Sequence, residues 1–145
     1  MSSLIVIARN LNDSLTDYTT IHDGIFKKTL RKTVPIPFLF KAINFQELEQ
    51  KLQTVHNDLS RYKTQVNDIR QSGSEDINKC NIFIEYVDKL IYAVQLLQGI
   101  TRNLFLKSQG DNTYKLSEHT ELVKRYETAV DAYYSLGDKM NSVFS

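Results

Sequence analysis

His22, His56, His119, Cys80 and the carboxylate pairs Glu85/Asp88 and Glu118/Glu121 are the residues of this 145-residue chain whose types suit chemistry. A metal centre in a helical bundle draws on pairs such as Glu-x-x-His, His-x-x-x-His or Cys-x-x-Cys, because ligands must share a helix face to converge on one ion. None of these spacings occurs, and no metal is assigned. A histidine that relays phosphate is followed by a Lys and a small residue that admit the partner's active site. His119-Thr120-Glu121 and His56-Asn57-Asp58 depart from that pattern. Cys80 stands on an apolar row with no histidine near it in sequence, which predicts a buried, unreactive thiol. Each carboxylate pair sits one helical turn apart, a spacing open to acid–base work but ordinary on a solvated face. There is no Gly-rich phosphate loop, nucleophile elbow or dinucleotide fingerprint. The chain is therefore expected not to be an enzyme, with no catalytic residue, no cofactor and no small-molecule substrate. A small metal-binding bundle, or an enzyme without a recognisable motif, ranks third among the functional readings.

Two features suit binding. The first is the basic stretch Lys27, Lys28, Arg31 and Lys32, followed by Pro35-Ile36-Pro37 and the apolar Phe38-Leu39-Phe40. Cations beside inserted aromatics are what a peripheral membrane binder needs, each cation near an anionic surface contributing on the order of 1 kcal/mol. The plainer reading is that the cations complement the dipole at the end of a helix and the apolar loop plugs the bundle. The second feature is aromatic wealth, eight Tyr and seven Phe with no Trp. Tyr86, Tyr92, Tyr133 and Tyr134 offer large contact area with one polar end, as interfaces favour.

These residues must be held by helices. Phe45, Leu48, Leu52, Val55, Leu59, Tyr62, Val66 and Ile69 alternate steps of three and four with polar residues between, the period of an amphipathic helix. The spacing predicts a helix over 44–71, opened by Asn44 with Glu47 in a capping-box pattern and closed by Gly73. Further helices are predicted over 3–30, 75–107 and 117–142. In the first of these Asp23-Gly24 predicts a break or kink, the alternative being a small hairpin over 19–30. The helix over 75–107 carries the widest apolar face. One seam runs through Ile77, Cys80, Ile84, Val87, Ile91 and Val94, a second through Phe83, Leu90, Leu97 and Leu104. So wide a face is either fully enclosed or meets a second copy of the protein.

The expected architecture is all-α, a single-domain, coiled-coil-like, antiparallel up-down four-helix bundle, with the Pro-containing apolar connection between helices one and two. Lys plus Arg total 18 against 17 Asp plus Glu, a net charge of +1, so no field suited to nucleic acid surrounds the molecule. One cysteine suits a reducing compartment, and neither a signal-peptide core nor a membrane-spanning run is legible. The expected location is the cytoplasm, with export independent of a signal peptide as the alternative. Tyr134 to Asp138 and Tyr114 to Glu118 do fit a Tyr-x-x-x-acidic export pattern, but the Trp-x-Gly turn that accompanies it is absent. The first functional reading is a non-catalytic interaction or adaptor protein whose partner is another protein or a homo-oligomer. Its candidate interface comprises Phe83, Tyr86, Leu90, Leu97, Leu104, Tyr133 and Tyr134. The alternative is a membrane-surface binder using Lys27, Lys28, Arg31, Lys32, Phe38 and Phe40.

Overall fold

In the computed structural model the described residues, 3–30, 44–110 and 116–144, form four helices: α1 (Ser3–Leu30), α2 (Phe45–Ser72), α3 (Ile77–Ser108) and α4 (Leu116–Phe144). The fold is an all-α four-helix bundle, and no strand occurs among the described residues. The Pro-containing connection falls outside them.

The start and stop of α2 follow from its end residues. Asn44 is extended, and its side-chain oxygen accepts from the Glu47 N–H at 3.0 Å, satisfying one of the donors a helix start leaves open. The Glu47 carboxylate pairs with Lys51 at 3.1 Å, one turn along the helix. Gly73 ends the helix in the left-handed region at φ 70°, where a Cβ would be strained, and its N–H bonds the Arg70 carbonyl. Asp76 opens α3 by accepting from the Asn78 N–H at 2.8 Å, whereas Ser74 bonds back to Ser72.

α1 runs through Asp23-Gly24 without interruption, so the predicted break and the alternative hairpin are both corrected. The reason is burial at helical spacing: Tyr18, Ile21 and Ile25 all face the core, and a hairpin would turn part of that set outward. Tertiary packing outweighs the turn preference of an Asp-Gly pair.

α3 is the enclosed helix. Phe83, Leu90, Leu97 and Leu104 are buried together with Cys80, Val87 and Val94, so the two predicted seams merge into one interior face. Only its edge is wet, with Ile84 and Ile91 half-buried and Ile77 58% exposed. α2 covers one side of this face and α4 the other. Between α2 and α3 the pairs Gln53–Gln98, His56–Gln95, Lys63–Asp88 and Arg70–Asn81 rise on one helix as they fall on the other. Contacts between α3 and α4 step the same way, from Asn103–His119 at one end to Phe83–Phe144 at the other. Gly99 lets these two helices close, since a Cβ there would stand 3.2 Å from Leu122 Cδ2.

α1 and α4 are related differently. Their backbones approach in few places, and long aromatic side chains bridge the space between them. The core cluster takes residues from all four helices, but this one seam is spanned by rings and not closed by short side chains.

Candidate functional site

At one end of the α1–α4 seam is a row of hydroxyls and an imidazole. Tyr18 and Tyr126 hydroxyls lie 2.5 Å apart, and the Tyr126 hydroxyl is 2.6 Å from His22 Nδ1. Phe26 stacks on Tyr126 with ring centroids 5.4 Å apart and nearly parallel planes. Tyr133 lies edge-on to Tyr18 at 6.0 Å and to Tyr86 at 6.1 Å, and stacks on Tyr134 at 5.0 Å. Each centroid separation falls in the range where aromatic pairs attract beyond simple area burial.

The electrostatics keep this row neutral. Burial lowers the His22 imidazole below its ordinary value, with the neighbouring Asp23 carboxylate acting weakly the other way. With the proton of the neutral imidazole on Nε2, Nδ1 accepts from the Tyr126 hydroxyl, whose oxygen is then free to accept from Tyr18. Burial pushes the Tyr18, Tyr126 and Tyr133 hydroxyls far up, and Tyr86 up to about 12. Tyrosines so shifted remain protonated donors at neutral pH; none of the four is poised as a base or nucleophile.

Beyond the row the seam opens into a groove of about 700 Å³. Its α1 wall is Ala8, Leu11, Asn12, Leu15 and Thr19; its α4 wall is Tyr133, Tyr134, Gly137, Asp138, Met140, Asn141 and Phe144; Tyr86 of α3 forms part of the floor. Its depth comes from what the walls lack. A Cβ on Gly137 would meet nothing closer than Tyr86 at 4.0 Å, and Ala8 and Thr19 are small. The groove is aromatic and apolar within, with amides and one carboxylate at its edges, a combination that suits recognition more than reaction.

The structure places most of the candidate interface read from sequence in the interior. Among the described residues, Phe83, Tyr86, Leu90, Leu97, Leu104 and Tyr133 are buried in the core, because α2 and α4 flank α3 and cover both of its apolar rows. Tyr134 alone of that set is exposed, at 64%. Tyr86 and Tyr133 keep a smaller role as groove floor and wall. The alternative membrane set falls outside the description: Arg31, Lys32, Phe38 and Phe40 lie beyond the described residues, as do the side chains of Lys27 and Lys28.

The three histidines sit on three helices, each bonded to its own neighbour. His22 bonds Tyr126, His56 Nε2 accepts from the Gln95 amide at 3.2 Å, and His119 bonds Asn103 at 3.2 Å. No group of metal-ligating side chains occurs among the described residues. Cys80 is buried, and burial pushes its thiol up, away from the reactive thiolate. No helix among the described residues is long and apolar enough to cross a membrane.

Tyr18, His22, Phe26 and Tyr126 were missed as a site, because nothing in their spacing links α1 to α4. The one available signal was the pair of small residues, Ala8 and Gly137, in otherwise bulky apolar faces. The chain matches no protein-family model, no curated protein and no solved structure.

Proposed function

We propose that this protein is a non-catalytic interaction module, an up-down antiparallel bundle that receives a helical segment of another protein in the groove between α1 and α4. The observation that carries this reading is the groove itself: an aromatic cleft at the seam where, among the described residues, α1 and α4 do not close on each other. Along α1 it extends from Ala8 to Thr19, about 17 Å at 1.5 Å per residue, which matches roughly three turns of an inserted helix. Such a helix would place apolar residues at i, i+3 or i+4, and i+7 against Tyr134, Gly137 and Leu15, the recognition mode of helix-in-groove complexes. Tyr134 supplies the exposed ring area on which such interfaces concentrate their energy.

The test is direct binding of synthetic amphipathic helical peptides to the intact protein, read by fluorescence anisotropy. Binding is expected for peptides with a continuous apolar face and is expected to disappear in Gly137→Leu, which fills the groove beside Tyr86. Failure of every peptide to bind, or binding indifferent to Gly137→Leu, would sink the reading.

A further inference from the structure

We infer that the segment received by the groove is basic, an amphipathic helix whose Lys or Arg residues meet a row of carboxylates along the α4 edge. The inference rests on the groove being a docking site for a helix, and adds the chemistry by which the partner is chosen.

Glu127, Asp131, Tyr134 and Asp138 follow one another at steps of four, three and four, the spacing that puts side chains on one helix face. All four are exposed; Tyr134 and Asp138 line the groove, and Asp131 and Glu127 continue the same face of α4 beyond its end. None of the ion pairs among the described residues involves these three carboxylates. Across the cleft the described α1 wall is uncharged, and no Lys or Arg among the described residues lines the groove. The mouth is therefore negative although the chain as a whole carries a net charge of +1.

Glu127 and Asp131 are like charges one turn apart, an arrangement that weakens an isolated helix and that a cationic partner would relieve. Tyr134 stands between the carboxylates with its ring exposed, and the face of a tyrosine ring attracts a guanidinium or ammonium. An acidic helix entering the same cleft would set like charges against one another along the whole rim. Complementarity of this kind governs encounter rate and partner choice more than total affinity.

The test uses three synthetic peptides with one shared apolar face and a polar face of Lys, Gln or Glu, titrated against the intact protein at low and high salt. The Lys peptide should bind most tightly and the Glu peptide roughly ten-fold or more weakly, with the difference shrinking as salt rises. The double variant Asp131→Asn/Asp138→Asn should cut Lys-peptide affinity by about ten-fold and flatten its salt dependence, with a much smaller change for the Gln peptide and an unaltered circular dichroism spectrum. Equal binding of all three peptides, each lost in Gly137→Leu, would overturn the basic partner and leave the groove. Lys-peptide binding that survives Gly137→Leu, or no binding by any peptide, would overturn both. Should Gly137→Leu fail to fold, Asn12→Trp fills the cleft from the α1 side and gives the same readout. Salt-sensitive self-association abolished by either groove variant would overturn the foreign partner in favour of a second copy.

Discussion

The Tyr126 hydroxyl reaches His22 Nδ1 across 2.6 Å, joining α4 to α1 through side chains where the two backbones stand apart. This bond and the Tyr18 hydroxyl behind it make the seam a polar chain inside an aromatic frame. The rings keep the helices at the spacing that opens the groove further along.

Removing the middle of that chain should be costly. Tyr126→Phe leaves His22 Nδ1 and the Tyr18 hydroxyl without the partner they share, and a loss of about 1–3 kcal/mol of unfolding free energy is expected. Urea denaturation of the single variants Tyr126→Phe and Tyr18→Phe, and of the double variant, would measure it. Because the two hydroxyls contact each other, the double variant should lose less than the sum of the singles.

The His22 environment predicts a pH dependence. Its folded value lies below its ordinary one, so near and below the ordinary histidine range the unfolded chain binds more protons than the folded chain, and stability falls as pH falls. The loss begins as pH drops through the unfolded value near 6.5 and is complete below the lowered folded value. The measurement is a difference between two proteins. Between about pH 7.5 and 5.5 the wild type should lose more stability than His22→Gln. Equal losses in the two proteins would remove His22 as the source.

The two glycines inside packed helix faces should behave differently. At Gly137 a Cβ meets only Tyr86 at 4.0 Å, so Gly137→Ala should stabilise the bundle by up to about 1 kcal/mol through helix propensity. At Gly99 the added Cβ stands 3.2 Å from Leu122, which must shift, so Gly99→Ala should gain less or lose stability. Thermal unfolding of the two variants side by side gives the order.

The merged face of α3 is tested by two truncations. Leu90→Ala opens a cavity in the centre of the bundle and should cost about 2–5 kcal/mol. Ile77→Ala lies on one of the rows read from sequence as core, yet is exposed, and should change stability by less than about 0.5 kcal/mol. Comparable costs at the two positions would show that the α3 face is partnered differently from the arrangement described.

The sequence by itself determined the helices. The period of Phe45 to Ile69 and the Asn44 and Gly73 ends made α2 legible almost to the residue, because helical periodicity and capping are local relations a few residues long. The inertness of Cys80 was legible for the same reason, as an apolar position in a repeating row. What tertiary structure alone decided was which apolar rows face inward and which seam stays open. The spacing of Phe83, Leu90, Leu97 and Leu104 is the same whether a partner helix is α4 or another molecule, so their burial could not be read from the chain. His22 and Tyr126 are 104 residues apart, and nothing local records that they meet. The groove is likewise a property of helix separation, set by the volumes of rings on one helix against small residues on the next, and side-chain periodicity carries no information about that distance.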